Sequence, residues 1–543
     1  MTMDRKKLKI IQVNLGRSAI ETAALRTRMG KEGVGVALIQ EPYLYGGRIR
    51  GFGAAAKVVT KEQNPWAAVV INDEKLRYVA MQQFLTGTTA AIRVNIRQDE
   101  VLLASQYCKI HEDIELDVER LRKIFEEGGK VLVGVDTNAH SAWWHSADTN
   151  DRGISVERFL MAGNVDIANR QMPYTTFSAH AGGETNIEVT FVTPALTRHI
   201  TWDLEEDPMG DHRPILVACD FDRHEREASS KIFCYKTANW KRYNERLGLR
   251  LADMGSLESA AAINRAVKKW NKAIKETNKE ILTQIPVKKG MTPCPWWDGD
   301  VEKLRLEYHK RRHEHQRLDA GKENAKRIMV QTRRKYKKIC KAKKRTSWKA
   351  FINSEVARDP WGFLYKQAAG KLKAKSGLST VLTESQEYTT RWWDTAGEYL
   401  RVLLMQDDPA RDDVEQRHMR KICTWVTTEM VGKIEAPFTN GETAAALRTL
   451  KTGKAPGPNG HKAEVITNLS DQNHQRMQSI YNASLEIGHF PEPWMEGIAV
   501  VLYKGNEKSI HEPSSHRIIQ LLDVHGGAQG LVFGIASTTE RTG

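Results

Sequence analysis

The chain has 543 residues, 40% of them hydrophobic, and a formal net charge of +15. That length suits about three domains rather than one core, and no apolar run is long enough to span a membrane. The charged start, Met1 to Lys9, argues against a secretory signal, and six cysteines without a Cys-x-x-Cys pair argue for a reducing compartment and against a zinc site or disulfide framework.

The first 222 residues alternate apolar runs with loops. Leu8 to Val13, Val34 to Ile39, Ala67 to Ile71, Ala90 to Val94, Val101 to Gln106, Val131 to Val135, Ile187 to Val192 and Pro214 to Phe221 read as strands. Helical spacing occurs at Ala19 to Gly30, where Gly30 can close it, and at Leu116 to Phe125, which Gly128-Gly129 ends. Interleaved strands and helices predict an α/β or α+β layered domain. From Tyr235 to Glu435 charged, helix-forming stretches carry Trp240, Trp270, Trp296-Trp297, Trp348, Trp361 and Trp392-Trp393. They predict a helical connector docked by aromatic anchors. A third region starts near Ala436, with a helix over Glu442 to Leu450, a Gly/Pro loop over Gly453 to Gly460 and a buried strand over Ile498 to Tyr503.

The charge is local: Val301 to Ala350 holds 19 Lys/Arg against 5 Asp/Glu, nearly the whole excess. A solvated helix of that composition would repel itself, whereas a polyanion would bind it through counterion release. Nucleic acid is the expected partner, with Arg333, Arg334, Lys335, Lys337, Lys338, Lys343, Lys344 and Arg345 as candidate contacts.

Three apolar runs end in polar residues: Gln12-Val13-Asn14, Gln40-Glu41 and Asp136-Thr137-Asn138. Residues i and i+2 of an extended chain point to one side, so Asp136 and Asn138 can converge on one ligand. Each alone is ordinarily an Asx-turn or a strand-end cap. Three together, with Asp211-His212 opening the last strand, are hard to explain as independent turns.

These residue types suit metal-assisted phosphodiester cleavage. That reaction needs an activated water, a stabilised phosphorane charge and a neutralised leaving group. Mg²⁺ takes oxygen ligands and keeps waters, so one or two carboxylates suffice; Glu41 supplies one and Asp211 another. Asp136 can orient the water, Asn138 and His212 can hydrogen-bond phosphate oxygens, and Glu188 is the candidate to fix the His212 tautomer. His140, His145, Trp143 and Trp144 are expected to line the cleft or pack, and Asp203-Leu204-Glu205-Glu206-Asp207 to be a solvated loop.

Together with Pro42, Tyr107, Gly134 to Ser141, Arg152-Gly153 and Gly210 to Ile215, these strings resemble the endonuclease/exonuclease/phosphatase family. The form they resemble most is the one at the N-terminus of non-LTR retrotransposon polyproteins, in arthropod elements that insert at fixed genomic sites. The resemblance spans residues 8 to 219. It implies a four-layer α/β sandwich over 8–222, with Asn14 and Glu41 at a Mg²⁺ ion (or Mn²⁺). It further implies Tyr107 and Asn138 on the phosphate, Asp136 positioning the nucleophile, and Asp211 and His212 closing the site. The family places Asp where Glu188 stands and usually Ser where Gly210 stands. One extra methylene would displace the hold on His212 by about an ångström, a shift that can cost on the order of 10²-fold in rate.

Pro295-Trp296-Trp297-Asp298, the basic stretch, Asp359-Pro360-Trp361-Gly362 and Tyr365-Lys366 resemble the segment between nuclease and polymerase in the same proteins, here 223–435. Lys454 to Gly460, Pro491 to Trp494, Val500 to Lys504 and Ser515 to Leu522 resemble the fingers at the start of a reverse transcriptase domain, here 436–525. The family reads Asp at 459, Tyr at 516 and Pro at 518. By that resemblance Arg517, and next Lys504, hold nucleotide or template. The paired Asp residues that bind polymerase metals come later in the family, and 526–543 is a divergent tail, so a truncated, inactive polymerase fragment is expected. The whole implies a nuclear endonuclease that nicks double-stranded target DNA to prime reverse transcription of element RNA, with no membrane partner. A non-catalytic nucleic-acid-binding remnant is the alternative; a phosphoesterase acting on a small phosphate is more remote.

Overall fold

The structure is a computed structural model that describes residues 7–539 apart from 54–55, 62, 74–75, 97–98, 180–182, 221–230, 236, 287–290, 319–320, 360–363, 365–376, 405–408, 429–435 and 506–507. It divides into two compact units: residues 1–226, 288–398 and 511–513, and residues 227–287, 399–510 and 514–543. Residues of the expected connector are therefore shared between them. No helix among the described residues is long and apolar enough to cross a membrane.

Two sheets build the first unit. One runs in the order Ile200–Leu204, Ile215–Cys219, Leu8–Asn14, Val36–Gln40, Ala67–Ile71, Lys57–Val59. The other runs Asp166–Ile167, Glu188–Val192, Lys130–Asp136, Asp99–Tyr107, Thr89–Ile96, Arg77–Ala80, Leu378–Ser379. Alternation along each strand sets the layers. Leu8 and Ile10 point into the core between the sheets with Leu38, Val69, Ile92, Leu103, Leu132 and Val217. Their neighbours Ile11 and Val13 point outward, onto Leu25 and Met29 of the helix Ala19–Glu32. On the other sheet Val131, Val133 and Val135 pack outward on the helices Ile114–Glu126 and Asp151–Ala162. Helix, sheet, sheet and helix form the expected four-layer sandwich of the endonuclease/exonuclease/phosphatase type. Strands covered on both faces read as continuous apolar runs, and all eight predicted strands are present, shifted by a few residues at their ends.

Two buried glutamines cross the core. Gln12 Nε2 donates to the carbonyls of Val135 and Val189 at 3.3 Å each, and its Oε1 accepts from Thr190 Oγ1 at 2.8 Å. Gln40 Nε2 donates to Ser105 Oγ and the Gly134 carbonyl, both at 3.0 Å. Any side chain at Gly134 would collide with this strut, since its Cβ would lie 2.8 Å from Gln12. Each buried amide left unpaired would cost about 1–3 kcal/mol, so the glutamines fix how the strand ends face one another.

Other expectations are corrected. The first helix is opened by Ser18 and closed by Gly33 at φ 68°, not by Gly30. Gly30 lies inside the helix, where the Met291 carbonyl packs so closely that a Cβ would sit 2.4 Å from its oxygen. The acidic run begins inside a strand: Ile200–Leu204 buries Trp202 and Leu204 in the core, and Glu205 pairs with Arg28 at 2.5 Å. A helical hairpin, Gly299–Arg317 and Lys322–Arg358, joins the outer layer through Trp297, Val301, Leu304, Tyr308, Tyr336 and Cys340. Pro360-Trp361-Gly362 and Tyr365-Lys366 lie outside the described residues.

The second unit gathers Tyr243, Trp270, Tyr481 and Trp494 from the helices Trp240–Arg250, Ala260–Ile281, Asp471–Ile487 and Glu492–Met495 into one core. The helix Asn440–Arg448 is opened by a capping box between Thr439 and Glu442. The strand Gly497–Tyr503 is not the buried strand expected. It pairs with His516–Leu522 in a two-stranded sheet, which leaves Ile498 44% exposed. Lys504 donates its ammonium to the Ser514 carbonyl at 2.8 Å, and Arg517 is exposed on the partner strand.

Candidate active site

The parallel strands end at one rim of the sandwich. Asn14, Tyr107 and Asp136 are the last residues of their strands, and Glu41 follows directly on Gln40. Register brings the acids together: Asp136 lies opposite Tyr107 on one side and opposite Glu188 on the other. His212 arrives from the turn before Ile215–Cys219, with its ring 4.9 Å from that of Phe177. The Met209 amide donates to the His212 carbonyl at 2.7 Å. Glu41 at φ 43°, Asn138 at φ 45° and Arg17 at φ 55° are all non-glycine residues in the left-handed region. Such strain costs on the order of 1–3 kcal/mol per residue and clusters at functional sites. Here it bends the chain so that Glu41 and Asn138 turn back over the rim.

Asn14 is fully buried and ties the acids to each other. Its Nδ2 donates to Asp136 Oδ2 at 2.7 Å and to Glu41 Oε1 at 3.2 Å, while its Oδ1 accepts from the Gly16 amide at 2.8 Å. Asp136 Oδ1 accepts from the Asn138 amide at 3.2 Å, and Asn138 Nδ2 donates to the Cys108 carbonyl at 3.0 Å. The Tyr107 phenol lies beside Glu41 and Asn138. Glu188 reaches His212: one carboxylate oxygen accepts from Nδ1, so the extra methylene is absorbed. Its second oxygen, Oε2, is buried without a hydrogen-bond partner.

Burial pushes the Asp136 carboxyl up, and Glu188 adds to this; His212 and Asn14 pull the other way. For His212, burial lowers the imidazole, but Glu188 beside it, with Asp136 and Glu41 behind, more than offsets that and leaves it raised. The Tyr107 phenol is raised by burial and by the neighbouring acids, so it stays protonated as a donor. Asp136, Glu188 and His212 can each place a ligand atom within 4.8 Å of the other two. An orphaned buried carboxylate oxygen beside a second acid and an imidazole fits a divalent cation.

Asp211 stands apart from that cluster, its carboxylate paired with Arg312 at 3.0 Å. Of the basic candidates, Arg333 and Lys337 line a cavity with Asp211 and His212. Lys343 pairs with Asp298 and, at 3.0 Å, with Asp300. Arg334, Lys335, Lys338, Lys344 and Arg345 are exposed on the same helix. Of the flanking residues, Trp144 is fully buried and donates to the Asn186 carbonyl at 3.0 Å, Trp143 is 45% exposed, and His140 pairs with Asp148 at 2.9 Å.

Several contributors were not singled out by sequence reasoning. Arg152 braces the Asp136 loop, donating to the Asn138 carbonyl at 3.1 Å and the Glu112 carbonyl at 2.9 Å. Gly153 beside it admits no side chain, because a Cβ would lie 1.8 Å from the His140 carbonyl oxygen. Trp66 stacks on Tyr107 at 5.1 Å and carries the Arg17 guanidinium 4.2 Å above its ring. Only Arg152-Gly153 left a trace, as part of a motif; the other contacts join residues far apart in the chain.

Residues 101–216 match the family described as "Endonuclease-reverse transcriptase". The chain is 24% identical over 536 residues to a putative 115 kDa protein in type-1 retrotransposable element R1DM of Drosophila melanogaster, covering 95% of this chain and 50% of that protein. It is 23% identical over 510 residues to a retrovirus-related Pol polyprotein from type-1 retrotransposable element R1 of Bradysia coprophila, covering 88% and 49%. The chain thus spans about half the length of the curated relatives it matches. Among solved structures it is similar to the endonuclease domain of TRAS1, a telomere-specific non-LTR retrotransposon, at 26% identity and TM-score 0.36, over 40% of this chain and all of that one. The resemblance drawn from the motifs is borne out, and the N-terminal domain is retrotransposon endonuclease-like.

Proposed function

We propose that the first unit is a Mg²⁺-dependent DNA endonuclease that nicks one strand of a double-stranded target in the nucleus. The 3′ end so released would prime reverse transcription of an element RNA. The observation that carries this reading is the gathering of Asp136, Glu188 and His212 at one rim, with Asn14 tying Glu41 to Asp136.

Asp136, Glu41 and the free oxygen of Glu188 would hold the ion, which when bound would screen the charge on the leaving oxygen. The protein's own groups do the rest. Asp136 is placed to orient the attacking water. His212, kept protonated by Glu188, donates toward a phosphate oxygen and stabilises the charge that grows there. Tyr107 and Asn138 supply further polar groups on the same side.

The test is nicking of supercoiled plasmid in Mg²⁺ by the wild-type chain and by Asp136→Ala. Loss of nicking in the variant is expected, and equal nicking by both would end the catalytic assignment.

A further inference from the structure

The basic hairpin forms part of the wall around the rim. Arg312, with only 4% of its side chain exposed, pairs with Asp211 at 3.0 Å and donates to the carbonyls of Gly210 and Ser178. Gln316, four residues on, donates to Ser178 Oγ and the Ala179 carbonyl at 2.9 Å each. Arg305, on the same helix, donates to the Pro208 carbonyl at 3.0 Å. These side chains grip the two segments that hold His212: the turn Pro208–Asp211, and Ser178, whose amide donates to the Asp211 carbonyl at 2.9 Å.

On the second helix Arg333 and Lys337, spaced to share a face, line a cavity of about 320 Å³ whose other walls include Gly16, Ser18, Asp211 and His212. Neither cation has an ion-pair partner among the described residues. Of the acids lining the cavity, Asp211 is engaged by Arg312, and Glu21 is buried, which raises its carboxyl to about 7.

We propose that the hairpin is a working part of the nuclease centre: Arg312 is a positioning residue that fixes Asp211 and the turn carrying His212, and Arg333 with Lys337 receives backbone phosphates of the DNA strand beside the bond to be cut. This rests on the nuclease reading above. A planar guanidinium fork can hold several acceptors in fixed geometry, which suits Arg312. Cations without carboxylate partners, next to the residues that would meet the scissile phosphate, suit the strand that continues from it.

Full-length variants test both halves. Arg312→Gln should lower kcat for plasmid nicking by about 10²-fold with little change in KM, and Arg312→Lys should recover part of the loss. The double variant Arg333→Gln, Lys337→Gln should raise KM about tenfold with a smaller effect on kcat. In EDTA, binding of a duplex oligonucleotide should lose about 1.8 from the slope of log affinity against log salt in the double variant, a salt penalty about 12-fold smaller between ~50 and ~200 mM. Lys123→Gln, on the helix Ile114–Glu126, should leave that slope unchanged.

A wild-type salt slope in the double variant, or wild-type kcat in a folded Arg312→Gln, would overturn the proposal. Should Arg312→Gln fail to fold, Arg312→Lys decides its half: wild-type kcat there counts against positioning. A wild type that nicks nothing, while the double variant still alters the slope, would defeat the nuclease reading and keep the phosphate wall.

Discussion

Glu188→Gln separates the charge behind His212 from the shape that holds it. In the wild type, burial lowers the imidazole while Glu188, with Asp136 and Glu41, raises it from 6.5 to about 9. At pH 8 about nine-tenths of such imidazoles carry the proton. Neutralising the carboxylate removes the strongest raising influences while burial still lowers the imidazole and Asp136 and Glu41 still raise it, so the value falls; a full return to the ordinary 6.5 would leave about 3% protonated at pH 8. The donor population at pH 8 therefore falls by up to about 30-fold, and the basic limb of the nicking profile in Mg²⁺ should move to lower pH.

Stability supplies a second readout in the metal-free chain. Folding raises this pKa, so the contribution of the pair is complete below 6.5 and is lost as pH rises through about 9. Urea midpoints compared above the Asp136 value of about 7 should decline toward pH 9.5 in the wild type, and Glu188→Gln should flatten that decline. A variant that keeps the wild-type basic limb, or midpoints that fall in parallel, would refute His212 as a protonated donor held by Glu188.

Four further outcomes follow from the geometry. Gly153→Ala must push the Asp136 loop more than an ångström from the 1.8 Å clash with the His140 carbonyl oxygen; nicking should fall about 10²-fold, with a matching loss of thermal stability. Tyr107→Phe keeps the Trp66 stack but loses the hydroxyl beside Glu41 and Asn138, and kcat should drop about tenfold, the worth of one hydrogen bond to a charged phosphate oxygen. Gly30→Ala brings a Cβ within 2.4 Å of the Met291 carbonyl oxygen, so a thermal melt should show a loss of about 1–3 kcal/mol. Chelation with EDTA should abolish nicking, and either Mg²⁺ or Mn²⁺ should restore it.

The sandwich was legible because its strands are buried on both faces and leave continuous apolar runs, as in Val131 to Val135. The rim was legible because polar residues close those runs where they leave the sheet. What escaped depends on partners distant in the chain. Gly30 reads as a helix end because nothing local records the Met291 carbonyl beside it. The run Ile498 to Tyr503 reads as buried, yet its apolar sequence is matched by one partner strand and no covering layer among the described residues. Asp211 reads as a free carboxylate, and Arg312 reads as one basic residue among many; their pairing appears only when the hairpin is laid against the turn.

Glu188 shows why motif spacing alone misjudges a substitution. An extra methylene would displace the acid if its Cα were fixed where a shorter residue would need it. Here Glu188 is the first residue of its strand, and its register opposite Asp136 leaves the carboxylate free to set one oxygen on His212 Nδ1 and keep the other unpaired. The longer acid therefore still holds the imidazole, and the pH behaviour of Glu188→Gln reports on that hold.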